Sequence, residues 1–78
     1  MDREAILEKV IQLVAETLEV DPDDISMSTS FDDLNADSFD KLELVTAFEE
    51  EFDLTLDDEA LASITSVADA VNAIESVQ

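Results

Sequence analysis

Cysteine, glycine, histidine, tryptophan and tyrosine are absent from these 78 residues, proline occurs once, and only three residues are basic. Without cysteine there is no disulfide and no thiolate ligand for a metal, a composition consistent with a reducing cytosol. Without histidine or cysteine the chain has neither the usual proton shuttle nor a thiolate nucleophile, so it is not expected to be an enzyme. The missing glycine points to helices joined without special turns. No stretch is long and apolar enough to span a membrane, and the acidic start Met1-Asp2-Arg3-Glu4 is not a secretory signal. A soluble, cytoplasmic, monomeric protein is expected.

What is abundant is negative charge. Twenty-two acidic residues against three basic ones give a formal charge of −19, which repels nucleic acid and anionic lipid and attracts basic protein surfaces. Apolar residues make up 46% of the chain, enough for one small core at a length where a single core is barely sufficient. Residues 1–78 therefore read as one domain.

Helical periodicity organises most of it. Ile6, Leu7, Val10, Ile11, Val14 and Leu18 form an apolar stripe, which predicts a first helix from Arg3 to Leu18 capped by Asp2. Asp21 followed by Pro22 predicts one short turn. A long loop follows, with Phe31 and Leu34 as its anchors on the bundle. A second helix is expected over Ser38 to Phe52, with Leu44, Val45, Phe48 and Phe52 as its core face. A short third helix, about Asp57 to Ala62, is capped by Asp57, with Ala60, Leu61 and Ile64 turned inward. Ser66 and Asp69 suggest a capping box opening a fourth helix, whose stripe is Val67, Ala70, Val71 and Ile74. The expected fold is all-α: a small four-helix bundle with three main helices, one short third helix and a long loop between helices one and two.

The second helix carries more than a core face. Phe39, Leu42 and Thr46 fall opposite the buried stripe, beside Glu43 and Glu50. Large apolar residues among carboxylates suggest a docking face for a partner with apolar sockets rimmed by Lys or Arg, the alternative being that Phe39 and Leu42 pack under the preceding loop. Lys41 points to the core side of the first turn, its stem lying along apolar surface. Ser38, where the loop becomes helix, has two readings on the residues alone. It is either the N-cap or a hydroxyl placed for a covalently attached phosphate, which the unpaired N–H groups and positive dipole end of a helix start would favour.

Two other motifs lead nowhere. Ser38-Phe39-Asp40-Lys41 fits the Ser-x-x-Lys spacing of penicillin-recognising enzymes, but the further motifs and a fold large enough for a substrate cleft are missing. The acids from Asp21 to Asp32 fail as an EF-hand loop: Ile25 takes a ligand position, Ser26 stands at the turn glycine, and Asp32 replaces the bidentate Glu. No metal ligand set is assigned.

Asn35-Ala36-Asp37-Ser38-Phe39-Asp40, then Glu43-Leu44-Val45 and Glu49-Glu50-Glu51-Phe52, resembles the acyl carrier proteins of type II fatty acid synthesis, and the likeness runs from Ile6 to Ile74. The sequence departs from that family at Asn35, Phe39 and Thr46, where glycine, leucine and methionine are usual, and at Asp57, near a family proline. Asn tolerates a left-handed backbone better than other non-glycine residues. The resemblance implies that Ser38, next to Asp37, carries covalent 4'-phosphopantetheine whose thiol holds growing acyl chains as thioesters. It implies a phosphopantetheinyl transferase (holo-ACP synthase) and basic acyl-transferring enzymes as partners, docking on Phe39, Asp40, Leu42, Glu43, Thr46, Glu49 and Glu50. An acyl chain would fold back between helices two and three among Leu44, Val45, Phe48, Leu61 and Ile64. Polyketide, aminoacyl and peptidyl carriers share the serine, and an acidic interaction module without a prosthetic group is the alternative from another class.

Overall fold

The computed structural model describes residues 2–77 and is a helical bundle. Its elements are α1 (Arg3–Leu18), a 3-10 turn (Pro22–Asp24), a second 3-10 turn (Asp32–Leu34), α2 (Ser38–Phe52), α3 (Asp58–Ser63) and α4 (Val67–Val77). Asp2 caps α1 by accepting the Ala5 N–H at 2.8 Å. Asp21 caps the first 3-10 turn through the Asp23 N–H, with Pro22 at its first position. Asp57 caps α3 through the Ala60 N–H at 2.8 Å, and that helix sits one residue later than expected.

α1 is the central element, packed against both α2 and α4. Ile6, Val10 and Val14 from α1, Leu44 and Phe48 from α2, and Val67, Ala70, Val71 and Ile74 from α4 meet in the core with essentially no exposed surface. Every buried residue described is apolar, so burial drives folding here without a polar group to satisfy.

The long loop is tied down rather than loose. Phe31 is buried as its anchor, and Leu34 packs against the core at the edge. The Phe31 N–H donates to the Thr65 carbonyl, and the first free N–H groups of α4, on Val67 and Ala68, donate to Thr29 and Met27, all at 3.0 Å. Helix starts leave N–H groups without intrahelical partners, and here the loop supplies the carbonyls. That arrangement fixes the segment which hands the chain to α2.

Two expectations are corrected. Special turns are present without glycine: Glu19 (φ 55°), Asn35 (φ 61°) and Asp53 (φ 52°) all adopt the left-handed conformation. Glu19 and Asp53 end α1 and α2, positions where glycine is the usual choice, and Asn35 ends the second 3-10 turn. The capping box at Ser66 is also incomplete. Ser66 Oγ accepts the Asp69 N–H at 3.3 Å, but the Asp69 carboxylate reaches the Thr65 N–H and, at 2.7 Å, the Thr65 hydroxyl. The Thr65 hydroxyl, first, and then its N–H hold the Asp69 carboxyl below its ordinary pKa.

Candidate functional site

The start of α2 is closed by two aspartates. Asp37, with extended backbone (φ −89°, ψ −175°), accepts the Asp40 N–H at 2.9 Å, and the Asp40 carboxylate accepts the Asp37 N–H at 3.3 Å. The reading of Ser38 as the N-cap is therefore corrected. A cap needs an extended backbone with its side-chain oxygen aimed at the third helical N–H, and Asp37 occupies that place. Ser38 is the first helical residue, exposed, and its hydroxyl makes no hydrogen bond among the described residues.

Ser38 lies between two surface features. Toward the outer face runs an open groove of about 460 Å³, lined by Thr17, Phe39, Leu42, Glu43, Thr46, Ala47 and Glu50. Toward α3 lies a depression of about 260 Å³ lined by Ser38, Lys41, Leu61, Ala62 and Ile64. Beneath it is a closed apolar seam, with no room for a water molecule, between Phe31, Lys41, Leu44, Val45, Phe48, Leu61 and Ile64. Lys41, Leu61 and Ile64 border both, so the depression lies directly against the seam.

The structure thus brings together Leu44, Val45, Phe48, Leu61 and Ile64 on the seam. Sequence reasoning missed Phe31 and Lys41 there, and Thr17 and Ala47 in the groove. For Lys41 and Phe31 a signal existed, since both fall on the core side. For Thr17 none did, because α1 and α2 meet only in the folded chain.

The outer face of α2 is open. Phe39 is 66% exposed and Leu42 52%, so neither packs under the preceding loop. Glu43, Thr46 and Glu50 are exposed beside them, and the Thr46 hydroxyl turns back to donate to the Leu42 carbonyl at 3.0 Å. Asp40 and Glu49 also make local bonds. Asp40 is half-buried in the capping box, while Glu49 accepts the Leu56 N–H at 2.8 Å and ties α2 to the segment entering α3. Glu49 thus braces the loop through one carboxylate oxygen, supplying a partner for a partly buried N–H.

Among the described residues no group of three or more acidic side chains is set to hold a metal ion, and no helix is long and apolar enough to cross a membrane.

A helical bundle with an exposed serine at the mouth of an acidic helix is the architecture of a carrier domain. The family model described as the phosphopantetheine attachment site matches residues 8–74, and the chain belongs to that family. Within it, the chain is similar to the acyl carrier protein of Phenylobacterium zucineum, with 49% identity over 71 residues, 90% of each chain. The solved acyl carrier protein of Thermotoga maritima superposes with a TM-score of 0.84 at 28% identity, covering 99% of this chain and 91% of that one. That of Enterococcus faecalis gives a TM-score of 0.83 at 34% identity, with both chains fully covered. The prosthetic group of the family is phosphopantetheine, and the role is that of an acyl carrier, not of an enzyme.

Proposed function

We propose that this chain carries growing acyl groups for fatty acid synthesis in the cytoplasm, as a monomeric single domain, on a phosphopantetheine arm esterified to Ser38. The observation that carries the reading is the exposed Ser38 hydroxyl, relieved of capping by Asp37 and set beside a depression that adjoins an apolar seam. A hydroxyl with no bond of its own to break fits a phosphate ester at the surface. In the loading step the Ser38 oxygen forms a bond to phosphorus, the nucleotide half of coenzyme A leaves, and the hydroxyl proton goes to solvent or the transferase. Once attached, the arm supplies a terminal thiol that carries the acyl group as a thioester.

The rest of the work falls to the chain. Phe39 and Leu42, with Glu43, Thr46 and Glu50, offer apolar anchors within a negative rim, a surface that suits basic partners. Long-range attraction speeds encounter and leaves release easy, as a shuttle between successive enzymes needs. Leu44, Val45, Phe48, Leu61 and Ile64 line the space where an acyl chain would lie. The acidic Glu49-Glu50-Glu51-Phe52 ending of α2 favours fatty acid synthesis over polyketide, aminoacyl or peptidyl carriage.

Incubation with a phosphopantetheinyl transferase and coenzyme A tests the attachment. The intact mass should rise by one phosphopantetheine in the wild type and stay unchanged in Ser38→Ala. A wild-type mass that does not move, or a gain that persists in Ser38→Ala, contradicts the reading.

A further inference from the structure

Three cations stand among the twenty-two acids, and two of them are paired. Arg3 meets Glu75 at 3.3 Å and Lys9 meets Glu51 at 3.7 Å. The ammonium of Lys41 makes no ion pair among the described residues, although Asp37 and Asp40 lie just before it in the chain. Both of those carboxylates accept backbone N–H bonds within the capping box, which turns them toward the helix start. Lys41 is half-buried, three positions after Ser38 and so on the adjoining turn of the same helix face. Lys41 borders both the depression beside Ser38 and the seam below.

We propose that Lys41 is a positioning residue for the arm: its ammonium is the counter-ion of the phosphodiester on Ser38, and it directs the arm over the Leu61–Ile64 depression instead of the Phe39 groove. The inference rests on the Ser38 reading and deepens it. A phosphodiester adds one negative charge to a chain already at −19, and Lys41 is the cation beside the attachment point that no carboxylate of the described residues engages. The methylene stem keeps the seam covered, while the charged tip meets the phosphate at the surface, a division of labour that suits a long amphipathic side chain. An ion pair of this exposure biases the arm by about twofold to fivefold in population, enough to set a preference and weak enough to release at a partner.

The test uses the loaded protein, with loading confirmed by intact mass, in wild type, Lys41→Met, Lys41→Arg and Lys9→Met. Lys41→Met keeps the stem and removes the charge, so a purely packing role predicts no change. Two readouts are taken at neutral pH: the phosphorus resonance of the diester, and the proton cross-relaxation between arm methylenes and the Leu61 and Ile64 groups. Lys41→Met should shift the phosphorus resonance and lose about half or more of the cross-relaxation. Lys41→Arg and Lys9→Met should leave both near the wild type. Either readout unchanged in Lys41→Met overturns the proposal while leaving Ser38 as the attachment point. Absence of a mass gain in the wild type overturns the Ser38 reading, and this inference with it.

Discussion

Where α1 meets α4, Ile6, Val10, Val14, Val67, Ala70, Val71 and Ile74 are all shut off from solvent, whereas α3 buries none of its six residues and leans on the bundle through half-buried Ala60 and Leu61. The difference is one of composition and of length: six of those seven side chains are Ile or Val, whereas Asp58–Ser63 carries a single large apolar side chain, Leu61. α1 and α4 are long enough to present a stripe over several turns, while six residues make fewer than two. The stripe holds the fold together. The short helix beside it is the less firmly packed element, and the seam lies on that side, under the depression that Ser38 borders.

Truncation should break the comparison most visibly. Ile74→Ala, in the tight region, should cost about 2–5 kcal/mol, and Leu61→Ala on α3 about 1 kcal/mol or less, by urea unfolding. Equal costs would mean that α3 is as firmly packed as α4. A smaller effect of opposite sign is expected at the two helix ends that adopt the left-handed conformation without glycine. Glu19→Gly and Asp53→Gly should each raise stability by about 0.5–1 kcal/mol, the relief of the steric penalty exceeding the added freedom of the unfolded chain. The smallest effect concerns pH and the start of α4. Because the folded Asp69 carboxyl titrates lower than in the unfolded chain, its stabilisation is complete above the ordinary carboxylate range and is lost as pH falls through the lowered value. Asp69→Asn should therefore lose less stability than the wild type across that acid window, and solvent screening keeps the difference small.

How much of this is legible in the sequence follows from the range of each interaction. The stripes of α1, α2 and α4 and the caps at Asp2, Asp21 and Asp57 are local, with periods and spacings written along the chain. The five seam residues are legible because four fall on the inward side of a helix and Ile64 follows directly on the end of α3. Whether Asp37 or Ser38 caps α2 is a contest between adjacent oxygens that only backbone angles decide. The inward turn of Glu49 depends on a loop N–H seven residues away, and the Thr65–Asp69 pairing replaces an equally reasonable Ser66 box. The left-handed Glu19 and Asp53 are the least visible, since glutamate and aspartate do not announce that conformation as Asn35 does.

The claim at the centre of the account is that the α2–α3 side opens to shelter what Ser38 carries. Burying each methylene is worth roughly 0.8 kcal/mol before the cost of widening the seam, and one kcal/mol moves the melting point of a domain this size by about 4–8 °C. The direct measurement is the melting temperature of the loaded protein bearing no acyl group and then straight chains of four, six and eight carbons. The melting temperature should climb as the chain lengthens; one that stays level across the series contradicts an opening on this side.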